Sequence, residues 1–526
     1  MKLCELLVVG FDALDQELAQ TWAAEGHLPT FKMLMERSDW GLVENQLGLE
    51  AGSAWPTFYR GVSVGRHGQL DGTRQFDPGS YEIVRAGPEY AAHKLIWQKL
   101  SEDGKRVGII DAPYTYLSTN LNGIEIHDWG NHAGADGGDL QLKTWPSSLA
   151  QEVTERFGVE PLKGRLCDEF KPRTLAEIRA FRDRLIQRIE TKVGMIRHFL
   201  NQGRWDLFLG TFSEAHCAGH HLWHIHDKTR PDHDPEIAEV LGNPLRDIYI
   251  RLDQALGEVL ADVDPDETTV LVYCSHGMGP SISGTRLLDR ILVKLEGGEP
   301  KDKSKGTEGF LRKGWRSLPY GVQKGLKPLH GALWRSMVKT AFEGRRESRK
   351  YFEIYANDST GGVRINLIGR EPNGMVEPGP EYDAVLDALA KDLMEITNLE
   401  TGEPLVKNVI KAKDVHSGES LDKLPDLLVN WNKEAGSAQV RRVFSPKIGT
   451  MVHDGPPPRT GDHKPQGVFF SYGPTVRPNH RNKPVSVLDF APSIAQFLGS
   501  SHETFEGESI FQRGSFVQKR DRIAAS

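Results

Sequence analysis

The feature that most limits what this chain can fold into is a set of short, apolar, β-rich runs, each ending in a polar residue or glycine. They span Leu6–Phe11, Val107–Asp111, Leu207–Phe212, Val270–Cys274 and Val468–Ser471. Unbroken apolar runs of this length suit strands covered on both faces, as the inner strands of a parallel sheet are. Helical patterns separate them, including Leu175–Leu200 and Ile248–Leu260. The alternation implies an α/β fold with a largely parallel sheet flanked by helices on both faces. Ligands of such sheets sit beyond the carboxyl ends of the strands. Asp12, the Glu214–His220 segment and His276 all follow a strand in this reading, so distant pieces of chain should converge on one sheet edge.

A chain of 526 residues exceeds what one growing core accommodates, so one large domain with insertions or two packed lobes is expected. The apolar share of 38% and charged share of 26% are those of a globular protein. A net charge of −7 gives no general case for nucleic acid, and none is predicted as a partner. Basic residues concentrate instead in 297–350, where Lys301, Lys303, Arg312, Arg335 and Arg345 alternate with Trp315, Tyr320 and Trp334. That stretch reads as a helical insertion between a first core part, 1–296, and a second, 351–526. It is either an amphipathic cap with a solvated basic face or a lid that recruits an anionic substrate or membrane surface. Within 351–440, Gly362–Leu367 reads as a strand.

The start of the chain does not resemble a secretory signal, because its apolar run contains Glu5 and leads directly into Phe11-Asp12. No uncharged apolar stretch approaches the roughly 18–20 residues that span a bilayer. Four scattered cysteines (Cys4, Cys167, Cys217, Cys274) make neither a disulfide framework nor a zinc motif, and a cytoplasmic setting is expected. Oligomeric state is not set by the sequence.

The strongest chemical signal is Ser213-Glu214-Ala215-His216-Cys217-Ala218-Gly219-His220-His221-Leu222-Trp223-His224. On a helix, His216 and His220 share one face at the spacing that lets two imidazoles grip one metal ion. His224 continues that face and His221 leaves it. The second signal is Val270–Gly279, which delivers His276 to a strand end. The third is the polar loop Arg459-Thr460-Gly461-Asp462-His463-Lys464, and the fourth is Asp12, a metal ligand or a helix cap. Zinc is the first expectation for the metal and manganese the second, as one or two divalent ions.

In order and spacing these sites resemble the metal motifs of the alkaline phosphatase superfamily, on its type I phosphodiesterase/nucleotide pyrophosphatase branch. Further likenesses are Trp55-Pro56-Thr57-Phe58-Tyr59-Arg60-Gly61 with Gly65-Arg66-His67-Gly68, Ile365–Pro372, and Leu488-Asp489-Phe490-Ala491-Pro492-Ser493. Ile365–Pro372 and the Gly-Asp-His loop are similar to its predicted phosphohydrolase/phosphomutase subgroup. The resemblance covers most of the chain. It implies an alkaline-phosphatase-like core and hydrolysis of a small anionic ester, phosphodiester or phosphomonoester. It also implies one metal site from His216, His220 and His463 and another from Asp12 and His276.

Two departures from that pattern matter. The first site has His216 where the family has an aspartate, and the second has Ser275 where the family has an aspartate, which should leave that second site weak or empty. Three neutral imidazoles leave a zinc site at a net charge of +2 rather than +1, favouring a strongly anionic substrate group. Glu214 would compensate if its loop turned inward. The family's nucleophile position is Ala51, which forms no covalent intermediate. Ser53 is the nearest hydroxyl, either a nucleophile after a register shift at Gly52 or a cap for the following helix, with Thr57 as scaffold. A metal-activated water is the other nucleophile. Arg60, Arg66, Arg459 and Lys464 either clamp the anion or are solvated. The rival readings are a non-catalytic relative that binds a phosphorylated or sulfated ligand, and a phosphomutase, transferase or sulfatase on the same fold.

Overall fold

The computed structural model describes residues 4–70, 74–85, 92–130, 142–162, 172–281, 287–300, 346–354, 360–433, 440–452, 459–474, 476–502 and 504–511. Most of the basic insertion expected at 297–350, and Cys167, lie outside the described residues.

The main sheet is built from β1 (Cys4–Phe11), β2 (Asp39–Glu44), β3 (Val107–Ile110), β4 (Gly123–His127), β5 (Lys143–Trp145), β6 (Trp205–Phe212), β7 (Thr269–Cys274) and, from the far end of the chain, Gly467–Tyr472. Reading across, the order is β2, Gly467–Tyr472, β7, β1, β6, β3, β4, β5. The inner strands β7, β1, β6, β3 and β4 run parallel. Gly467–Tyr472 is antiparallel to both its neighbours, so the expectation of a parallel strand at Val468–Ser471 is corrected. Its apolar run reports burial on both faces, which an inner antiparallel strand shares with a parallel one.

The period of two along β1 sends its side chains into two cores. Leu7, Val9 and Phe11 meet α-helices on one face, and Leu6 and Val8 meet others on the opposite face. The first face is covered by Leu175–Leu200, Glu214–His226 and Pro244–Leu260, the second by Glu50–Arg60 and Phe490–Phe497. Numbered in chain order, these helices are α1 (Glu50–Arg60), α2 (Leu175–Leu200), α3 (Glu214–His226), α4 (Pro244–Leu260) and α5 (Phe490–Phe497). The expected start of α2 at Leu175 follows from a capping box, Thr174 accepting from the Glu177 N–H and Glu177 reaching back. α4 begins earlier than its apolar pattern, because Asn243 caps it and Pro244 suits its first turn.

A second core has its own antiparallel sheet in the order Tyr351–Ile354, Thr360–Ile365, Leu427–Trp431, Val406–Lys411, with helices Leu288–Leu295 and Pro380–Met394 packed on it. The strand read at Gly362–Leu367 lies here, as Thr360–Ile365. The Asn366–Glu371 turn is a clasp of this lobe. Arg364 and Arg370 share Glu371, and Arg370 and Tyr382 both donate to Asp426.

The Gly-Arg-His-Gly segment is also structural. His67 is fully buried, its Nδ1 accepting from the Gln69 N–H at 3.0 Å while Nε2 meets Thr57 Oγ1 at 2.9 Å. Since Nδ1 accepts, Nε2 carries the proton and donates, which ties the following turn to α1. Burial, helped by the nearby Arg60 charge, pushes the His67 imidazole well below the usual histidine range. The unfolded chain takes up that proton near pH 6.5 and the folded chain resists it, so the stabilisation is complete above about pH 6.5 and declines below it. The thermal midpoint should therefore fall between pH 7.5 and 5.5, and His67→Gln should flatten that decline, as calorimetry at several pH values would show.

Candidate metal centre

β6 ends at Phe212 and the chain turns at Ser213 directly into α3. His216 and His220, one helical turn apart, bring their Nε2 atoms to 3.2 Å. The third imidazole arrives from a two-stranded antiparallel sheet of β8 (Gly277–Pro280) and β13 (Gly461–Lys464) — in chain order, β9 to β12 are the four strands Tyr351–Ile354, Thr360–Ile365, Val406–Lys411 and Leu427–Trp431. In this small sheet His463 sits opposite Met278. One nitrogen from each of His216, His220 and His463 lies within 4.8 Å of the others, and all three residues are buried. The ring centroids are 4.4 Å apart for His216–His220, 4.9 Å for His216–His463 and 4.8 Å for His220–His463.

Two glycines allow this approach. A Cβ on Gly461 would stand 2.1 Å from the Gly219 carbonyl oxygen, and one on Gly219 would stand 2.5 Å from the Met278 methyl. The β8–β13 sheet thus lies on α3 at the turn between His216 and His220, and Thr460 N–H donates to the His220 carbonyl at 2.7 Å. His220 Nδ1 lies 2.8 Å from the Gly461 carbonyl. A carbonyl only accepts, so Nδ1 is the protonated nitrogen and the Nε2 lone pair faces the cluster, the arrangement typical of a metal-bound histidine. Three converging imidazoles, with at least one tautomer set for ligation, fit a divalent transition ion.

His276 and Asp12 reach the same edge. The His276 ring lies 4.5 Å from that of His463, nearly perpendicular to it at 89°. Asp12 Oδ1 accepts from Trp55 Nε1–H at 2.8 Å and from Ser275 Oγ at 3.1 Å. Asp15 braces both strands of this small sheet, accepting from the Met278 N–H at 3.2 Å and pairing with Lys464 at 3.1 Å. Asn45 bridges the Ser275 and Pro465 carbonyls, both at 2.8 Å.

Other expected residues lie apart from the cluster. Glu214 does not turn toward it: its carboxylate takes Arg188 at 2.7 Å and Lys192 at 3.4 Å, both from α2. Burial raises the Glu214 carboxyl, and the charges of Lys192 and Arg188 outweigh that and hold it below the usual range. His224 meets Thr460 Oγ1 at 3.3 Å and His221 packs edge-on against Phe181. Ser53 is inside α1, where its hydroxyl donates to the Leu49 carbonyl at 2.8 Å; Leu49, not Ser53, is the N-cap. Arg60 is buried and donates to the His93 carbonyl, Arg66 pairs with Glu419 and Glu506, and Lys464 pairs with Asp15 and Glu17. Of the four basic residues flanking the motifs, Arg459 is the one whose guanidinium reaches the cluster, 3.2 Å from His220 Nε2.

A buried ionic layer beside the cluster was missed from the sequence. Lys192 joins Asp111, at the end of β3, to Glu214, and Arg188 joins Glu214 to Glu160 and Cys217. Its signal was present: Arg188 and Lys192 sit one turn apart on the otherwise apolar face of α2.

No family model matches the sequence, and no curated protein sequence matches it. Among solved structures the chain is similar to murine ectonucleotide pyrophosphatase/phosphodiesterase 5, in an inactive variant with AMP, at 12% identity and TM-score 0.48 over 94% of this chain and 95% of that one. It is also similar to phosphonoacetate hydrolase from Sinorhizobium meliloti with phosphonoacetate, at 13% identity and TM-score 0.48 over 95% of this chain and 96% of that one. What those two proteins bind is a property of theirs. No helix among the described residues is long and apolar enough to cross a membrane.

Two outcomes follow. Gly461→Ala should push β13 off α3, lower the thermal midpoint and abolish cobalt uptake, read by titration of the purified protein. Arg188→Met should leave the Glu214 carboxylate short of a partner and cost about 3–5 kcal/mol in urea unfolding.

Proposed function

We propose that the protein is a divalent-metal-dependent hydrolase of phosphoric esters, with the cation held by His216, His220 and His463. The observation that carries this is the meeting of three buried imidazoles from α3 and β13 with nitrogens inside 4.8 Å. The assignment to phosphoric esters rests on the ordered motif resemblance along the chain. An all-nitrogen donor set suits zinc, and manganese, which favours oxygen donors, comes second. A divalent cation bound there supplies charge that offsets the negative charge gathering on the phosphoryl oxygens and acidifies nearby water.

The protein's own groups complete that reading. Gly461 holds His220 in the ligating tautomer through its carbonyl. Arg459 lies 3.2 Å from His220 Nε2, and a cation that takes that lone pair would release its guanidinium to an anionic ester. The Ser53 hydroxyl is committed to the Leu49 carbonyl within α1, and we assign the nucleophile to water rather than to Ser53. The buried thiols of Cys4, Cys217 and Cys274 fit a reducing compartment, and we place the enzyme in the cytoplasm. Alanine at position 51, the family's nucleophile position, favours one second reading, a relative that binds an anionic ester without turning it over.

Elemental analysis of purified protein tests the metal, and it should find stoichiometric zinc or manganese that His220→Ala loses. Hydrolysis of an aryl phosphodiester or phosphomonoester by the metal-loaded protein should fall by at least about 100-fold in that variant. Ser53→Ala should leave kcat near the wild-type value, whereas a collapse would make Ser53 the nucleophile. Binding of the esters with no turnover by the loaded wild type would establish the second reading.

A further inference from the structure

Ser275 stands where the resembled family has a carboxylate, and its hydroxyl has been given a complete set of partners. It donates to Asp12 Oδ1 at 3.1 Å, lies 2.8 Å from His276 Nδ1, and is approached by the Ala13 N–H at 3.4 Å. A hydroxyl has one proton and two lone pairs, and a carboxylate accepts without donating. The Ser275 proton therefore goes to Asp12, the stronger acceptor, and its oxygen must accept from His276. That assigns the His276 proton to Nδ1 and leaves the lone pair on Nε2, with the ring beside His463.

Asp12 Oδ1 receives the Trp55 indole N–H as well as the Ser275 hydroxyl, so both lone pairs of that oxygen are taken by protein donors. With Ser275 in place of a carboxylate, this pair of positions also carries one negative charge fewer than in the resembled family.

We infer that Asp12 and Ser275 are positioning residues rather than metal ligands: the Asp12–Ser275–His276 chain fixes the tautomer of His276, and the protein holds one cation, at His216, His220 and His463. This rests on the metal reading above. It goes beyond that reading by setting the number of ions and giving Asp12 an orienting task in place of a coordinating one.

The test is an ion count and a tautomer measurement on the full chain, dialysed against zinc. Wild type should carry one zinc per chain, and Asp12→Asn, which keeps an oxygen acceptor for Trp55 and Ser275, should still carry one. Ser275→Asp should carry two, because a second carboxylate beside Asp12 repels it until a cation enters. Nitrogen NMR of ring-labelled histidine, with the His276 signal assigned from its loss in His276→Gln, should show the Nδ1–H form in wild type. Two zinc ions in wild type, falling to one in Asp12→Asn, would overturn the inference and leave the proposed function standing. A single ion in Ser275→Asp, or an Nε2–H form of His276 in wild type, would overturn it too. No zinc in wild type would sink both. The wild-type count and tautomer decide the matter even where a variant does not fold.

Discussion

The bond from His220 Nδ1 to the Gly461 carbonyl, 2.8 Å long, depends on a backbone approach that no larger residue permits, and the centre is organised around it. It selects a tautomer, aims a lone pair and brings His463 along on the same short strand. Once β13 lies against α3, the pairing of β13 with β8 places His276 at the neighbouring position. Four imidazoles from three remote stretches of chain thus share one small volume because two glycines let a two-stranded sheet and a helix touch.

The buried charges beside this volume have a related effect. Burying Glu214 in an apolar interior is costly unless a cation meets it, and Arg188 and Lys192 supply two from α2. Holding Glu214 there keeps its carboxylate out of the imidazole cluster. The donor set consequently stays neutral, and a divalent ion keeps its full charge for an anionic substrate. The nearby Asp12 is drawn instead into bonds with Trp55 and Ser275. Glu214 and Asp12 are thus both engaged by protein donors.

Much of the architecture was legible before any coordinates. Four of the five apolar runs are neighbouring inner strands of the main sheet, all parallel. The helix expected at Leu175–Leu200 has those bounds, because its capping box is local. The direction of Val468–Ser471 was not legible, since an apolar run reports burial on both faces and carries no sign for strand polarity. Arg60 read as an anion clamp or a solvated charge and lies buried, donating to the His93 carbonyl, and Ser53 read as a nucleophile or a cap and lies one turn inside its helix. In both, a polar residue next to a motif was judged by its neighbours in sequence, while its partners were decided by backbone geometry.

The sequence by itself determined the periodicities: which segments are strands and helices, and that His216 and His220 lie one turn apart on one helix face. These follow from interactions within a few residues, so local chemistry suffices to state them. Tertiary structure alone decided that His463 joins them, that Glu214 turns away to Arg188 and Lys192, and that Ser275 links Asp12 to His276. Each of those is a contact between residues far apart in the chain. Its length and direction are set by how closely two backbones approach and by which donors and acceptors remain to be satisfied once they do.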